Sequence, residues 1–163
     1  MKIILIVLSI ILDVLFSNIF NFNLYKIPYF YPMLSIAVLV YLSNFYNNPN
    51  RKNYYVLVFI MALIYDSLIT NNILITALIF ELIAILNIKI KALFTNNLMN
   101  NILRLIISIF VYDLVFFIFL NFIGIQSFDL SLLLYKFIHS LFINIVYISL
   151  MFLVLKDKKG NKI

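Results

Sequence analysis

Six apolar segments, each long enough to cross a bilayer, fill almost the whole chain, and only short polar breaks separate them. A bilayer core of ~30 Å needs about 20 helical residues, with a range of roughly 17–25. On that basis the spans fall near residues 3–20, 28–46, 54–70, 72–88, 102–123 and 131–155. The break Asn47-Asn48-Pro49-Asn50-Arg51-Lys52-Asn53 is the clearest turn, because proline cannot continue a helix and asparagine tolerates turn geometry. Thr70-Asn71-Asn72 suits a tight interfacial turn, and the pairs Asn96-Asn97 and Asn100-Asn101 mark the next break. The expected fold is an all-α integral membrane protein: one six-helix domain over residues 1–155 and a basic tail over 156–163. At the start, Met1-Lys2 precedes the apolar run Ile3 to Leu12, as in a secretory signal. Asp13 interrupts that run and no small-x-small cleavage site follows before Phe20, so an uncleaved first span is expected.

The cations give the expected orientation. Lys2, Arg51, Lys52, Lys89, Lys91 and the tail residues Lys156, Lys158, Lys159 and Lys162 fall on one side if the spans alternate, whereas the opposite loops hold Lys26. The positive-inside rule then places both termini in the cytoplasm of a multi-pass plasma-membrane protein.

Composition agrees with this class. Hydrophobic residues make up 66% of the chain and charged residues 11%, against roughly 25% charged in a soluble domain. The net charge of +6 would suggest nucleic acid in a soluble protein. Here the basic residues flank apolar spans, so they read as topology signals and contacts to anionic lipid heads, with no nucleic-acid partner. The absence of cysteine excludes disulfides and thiolate chemistry.

Ionisable groups inside spans point to function, since each costs roughly 2.5–3.5 kcal/mol at a helix centre on insertion scales. Asp13, Glu81 and Asp113 lie mid-span, and Asp66, Arg104, Lys136 and His139 lie nearer span ends. If Glu81 and Asp113 face each other they form a proton or cation site. The favoured reading is structural, an interhelical hydrogen bond or a contact to a partner's helix, because no second carboxylate lies within a turn of either. Lys136 and His139 share a helix face, and Ser140 and Asn144 extend it as a polar stripe. Lys136 and Asp66 both fall toward the outer leaflet, which leaves room for a salt bridge between the sixth and third spans, while the preferred reading of the sixth span is a structural polar stripe.

A single histidine cannot supply a typical zinc ligand set, so no metal site is expected. Neither a Gly-x-Ser-x-Gly elbow nor a His-Glu-x-x-His motif occurs, and Gly124 and Gly160 are too few for a phosphate loop. His139 and Ser140 are adjacent, which points their side chains ~100° apart on a helix. Neither a catalytic residue nor a cofactor is therefore expected.

The order of features resembles the MreD family of rod shape-determining membrane proteins. Pro32 opens a second span ending in Val40-Tyr41-Leu42-Ser43 before a short basic loop. Ile64-Tyr65-Asp66 closes the third span and leads through Leu68 into the Asn71-Asn72 turn, where the family typically has an aspartate and then a glycine turn. The sixth span runs Lys136-Phe137-Ile138-His139-Ser140-Leu141-Phe142-Ile143-Asn144-Ile145, similar to a family pattern of a basic residue, an apolar pair, proline, serine or threonine, and asparagine. The chain departs from the pattern in lacking glycines around the third span and in carrying His139 where proline is frequent.

What the resemblance implies is a non-enzymatic scaffold, with a fold resembling the six-helix substrate-binding subunits of energy-coupling-factor transporters. It also implies an MreC-like bitopic partner, an MreB-like filament, and a RodA and penicillin-binding-protein synthase pair. Asp66, Lys136 and Asn144 would then fix the bundle's shape, while apolar faces grip the partner's span. The alternative is a vitamin-binding subunit of such a transporter. Against it, Ile3 to Phe20 has no alanines four apart for docking a coupling protein, and the chain has no tryptophan for a binding pocket. A small secondary transporter would need internal repeats, and the two halves of the chain show no convincing one.

Overall fold

The computed structural model describes residues 2–19, 32–46, 50–70, 74–93, 96–124 and 129–160. Six helices follow in chain order: α1 (Lys2–Ile19), α2 (Leu34–Ser43), α3 (Arg51–Tyr65), α4 (Ile75–Lys91), α5 (Leu98–Phe122) and α6 (Leu130–Gly160). A π-helical turn, Asp66–Thr70, continues α3. Among the described residues there is no strand, so the all-helical class holds. Three helical stretches are long and apolar enough to cross a membrane: Arg51–Ile69, Leu98–Phe122 and Leu130–Val154.

Local signals explain the helix ends. Asn97 starts α5 by accepting the Asn100 N–H at 2.8 Å, a side-chain N-cap. Asp129 does the same for α6, accepting the Ser131 N–H at 2.9 Å and the Ser131 hydroxyl at 2.6 Å. Gly124 follows α5 at φ 79°, the left-handed position that ends many helices. Leu74 takes φ 75° just before α4, where a side chain is strained and glycine would not be.

The layout departs from the expected spans in one major respect. The second span was expected over 28–46, but the helix itself covers Leu34–Ser43, and Pro32 and Met33 are non-helical. Ten residues rise about 15 Å, half the ~30 Å core. The rest of that segment, residues 20–31, lies outside the described residues, as do residues 47–49 and the Asn71-Asn72 turn. α6 stays helical from Leu130 to Gly160.

α2 is the axis of the bundle. All ten of its residues are buried, and it packs on α1, α4, α5 and α6. The surrounding helices turn one face inward and leave the other apolar and exposed. α6 leaves Leu134, Ile138, Phe142, Val146, Leu150 and Leu153 uncovered, a continuous outward stripe at helical spacing. Apolar exposure on this scale marks a membrane-facing or partner-facing surface.

Candidate functional site

A buried helix end leaves four N–H and four C=O groups to satisfy, and α2 meets this requirement with side chains from its neighbours. At its start, the Leu34 and Ser35 N–H groups donate to Oδ1 and Oδ2 of Asp13, each at 2.9 Å. The Met33 N–H donates to Oδ1 of Asn144 at 3.1 Å, and Nδ2 of Asn144 donates to the Ser140 carbonyl at 2.7 Å. The Ile36 and Ala37 N–H groups reach the Met33 carbonyl at 3.0 and 3.4 Å. One carboxylate on α1 and one amide on α6 thus complete the first turn.

The other end mirrors this with cations. Nη2 of Arg104 donates to the Val40 carbonyl at 2.9 Å and to the side-chain oxygens of Asn44 and Asn101 at 3.0 and 2.8 Å. Nζ of Lys91 donates to the Ser43 and Asn44 carbonyls at 2.9 and 3.1 Å. Nδ2 of Asn44 donates to Oδ1 of Asn101 at 2.8 Å, and the Tyr54 hydroxyl donates to the Leu39 carbonyl at 2.9 Å. Next to this cluster, Nδ2 of Asn87 on α4 donates to the Ser108 hydroxyl on α5 at 2.8 Å. The ammonium of Lys2 sits 4.1 Å from the Tyr46 ring centroid, which brings the start of α1 to the same end.

These charges match the helix macrodipole: a carboxylate at the partly positive N-terminus, a guanidinium and an ammonium at the partly negative C-terminus. With no water inside a bilayer, a short helix needs such partners for its end groups. The arrangement holds α2 from α1, α4, α5 and α6 at once. It offers structural rigidity, and its charges are occupied by backbone groups.

The expected site residues divide among several places. Asn144 belongs to the α2 start. Oδ2 of Asp66 accepts the Ala77 N–H at 3.3 Å, capping α4 as Asp13 caps α2. The π-helical turn Asp66–Thr70 follows directly on Tyr65 and carries Asp66. α6 packs chiefly on α5 and α2, and Lys136 on it is half-buried. Glu81 on α4 is half-buried, and Asp113 on α5 is 8% exposed. His139 stacks on Tyr135 with ring centroids 3.9 Å apart, and its Nδ1 lies 2.9 Å from the Tyr135 carbonyl. Among the described residues, no group of three or more His, Cys, Asp or Glu side chains could hold a metal ion.

Asp13, Arg104 and Lys91 carry the site, yet the sequence marked the first two only as ionisable groups in or near spans and Lys91 only as a topology signal. No sequence signal sets their contacts: which backbone groups they meet follows from the packing of α1, α4 and α5 around α2. Comparison of the chain with protein-family models, curated proteins and solved structures finds no match.

Proposed function

We propose that this chain is a six-span helical subunit of the bacterial plasma membrane, with both termini cytoplasmic, that works as a non-enzymatic scaffold. In this reading it is an MreD-like component of the cell-elongation machinery. Its apolar outer faces hold the span of an MreC-like bitopic protein and help position peptidoglycan synthesis by a RodA and penicillin-binding-protein pair near an MreB-like filament. The basic loops meet anionic lipid heads.

The observation that carries the reading is the Asp13 carboxylate on the first turn of α2. Carriers built from discontinuous helices leave a half-helix N-terminus open, and the positive dipole end binds the substrate's anionic group. Here the chain's own carboxylate fills that place. The opposite end is closed by Arg104 and Lys91. With Asp13, Arg104 and Lys91 directed to the backbone at the two ends of α2, the bundle suits a fixed shape. Helix association in membranes rests on packing and interhelical hydrogen bonds, so a scaffold needs no reactive group.

The test is gentle purification of the tagged protein from its native membrane, with mass spectrometry of co-purifying proteins and small molecules. An MreC-like protein with cell-wall synthases is the expected result. A stoichiometric vitamin with an ATPase-coupled partner would overturn the reading in favour of a transporter subunit.

A further inference from the structure

The C-terminal end of α2 gathers like charge from its neighbours. Nζ of Lys91 donates to the Ser43 and Asn44 carbonyls at 2.9 and 3.1 Å, and Arg104 reaches Val40 and Asn44. The Lys2 ammonium lies 4.1 Å from the Tyr46 ring centroid and 5.6 Å from that of Phe45. Tyr46 packs on Tyr54 with centroids 5.5 Å apart, and Tyr54 on Tyr55 at 5.9 Å. Arg51 stands one helical turn before Tyr54 and Tyr55, on the face they share. Cations from α1, α3, α4 and α5 thus surround residues 43–46. The contacts they make here are to carbonyl and amide oxygens and to ring faces, which hold a cation without cancelling its charge. On these same helices the carboxylates of Asp13, Asp66, Glu81 and Asp113 lie at least about 13 Å along the axis from the cations. Burial, and then the charges of Arg104 and Arg51, lower the Lys91 ammonium pKa from its ordinary 10.5.

We propose that Lys2, Arg51 and Lys91 form a seat for the phosphate of one anionic phospholipid at the C-terminal end of α2. This rests on the membrane orientation in the scaffold reading and turns its general contact with anionic heads into a defined site. An anion placed there relieves the mutual repulsion of the cations, which no carboxylate at that level of the bundle does. The two lysines act as compact charged donors, and the guanidinium of Arg51 presents a planar fork that matches phosphate oxygens.

Depth selects a lipid head over a soluble acidic partner. Half-buried Tyr46 and Tyr55 mark the headgroup level, where aromatic rings concentrate in membrane proteins. Lys2 and Arg51 open α1 and α3, and Lys91 closes α4, so the three cations stand at helix ends in the plane of the headgroups and not on a projecting loop. Arg51 is exposed, and Lys2 and Lys91 are half-exposed, which leaves all three open to an approaching phosphate. A soluble partner would have to enter the headgroup layer to meet the same atoms.

The experiment gives the purified full chain, in detergent micelles, equimolar phosphatidylglycerol and phosphatidylcholine with identical acyl chains, and native mass spectrometry counts the lipid retained. Lys2→Gln/Arg51→Gln removes two of the cations and leaves Lys91 on the α2 carbonyls. Lys158→Gln/Lys159→Gln removes the same charge from the basic tail. We expect the wild type to retain one phosphatidylglycerol in preference to phosphatidylcholine. That preference should fall roughly five- to twenty-five-fold in the first variant, a factor of about five for each cation, and hold in the tail variant. Equal losses in both variants, no preference for phosphatidylglycerol, or its displacement by inorganic phosphate at constant ionic strength would each overturn the proposal. They would indicate, in turn, diffuse attraction, no anion site, and a site for free phosphate. Helical circular dichroism checks that the first variant folds. Should it not, Arg51→Gln alone, at an exposed position, is expected to lose roughly fivefold, and an unchanged preference there overturns the proposal. No partner protein enters the assay, so loss of the lipid site leaves the scaffold reading standing. A retained lipid on a chain that co-purifies with a vitamin transporter's ATPase does the reverse.

Discussion

Replacing Asp13 by alanine removes the acceptor for two buried N–H groups, Leu34 and Ser35, both held at 2.9 Å. A buried donor left without a partner costs about 1–3 kcal/mol, so the two together cost about 2–6 kcal/mol. Loss of the charge at the helix N-terminus adds about 0.3–1 kcal/mol. The upper half of this range is expected, because α2 is buried along its whole length and no solvent replaces the carboxylate. Asp13→Asn keeps one acceptor oxygen and strands one N–H, so its expected cost is about 1–3 kcal/mol. Equilibrium unfolding in mixed micelles, followed by helical circular dichroism, measures both variants against the wild type. An Asp13→Ala variant within about 0.5 kcal/mol of wild type, the range of an inconsequential substitution, would refute the reasoning. So would an Asp13→Asn variant as damaging as the alanine.

Three further outcomes are expected. Arg104→Lys keeps the charge but, on a shorter side chain, withdraws the terminal nitrogen Nη2 that donates to Val40, Asn44 and Asn101; the same unfolding assay should show a loss of about 1.5–3 kcal/mol, the worth of a charged hydrogen bond. Leu74→Gly relieves a left-handed residue at φ 75° and should raise stability by about 0.5–1 kcal/mol, read as a higher unfolding midpoint. The hydroxyl and then the amide of Ser131 hold the Asp129 carboxyl below its ordinary 3.8. A depressed folded value means this cap stabilises the start of α6 above pH 3.8 and is lost as pH falls through the lower folded value. Amide exchange at Ser131 should therefore accelerate only in that acidic window, and Asp129→Asn should remove the dependence.

The helical class was legible because apolar runs of span length leave few alternatives, and Asn97 and Gly124 end their helices by familiar local chemistry. The half-length of α2 was not legible. Its apolar residues continue the pattern of a full span, and only the tertiary placement of Asp13 and Arg104 shows where the helix stops. For Asp113, as for Asp13, sequence gives depth along a span and not rotation about it, so the groups it faces cannot be read from the sequence. Leu74 adopts a left-handed turn that glycine would favour, so a leucine bears the strain there.

The central claim is that buried charges fix α2 in place, as a scaffold requires and a moving broken helix in a carrier does not. Hydrogen exchange of the Leu34 and Ser35 amides in nanodiscs tests it most directly. The account expects both first-turn amides to be as protected as those of Val38 and Leu39 at the middle of the helix. Exchange at Leu34 and Ser35 near the rate of free amides, with the centre of α2 still protected, would contradict it.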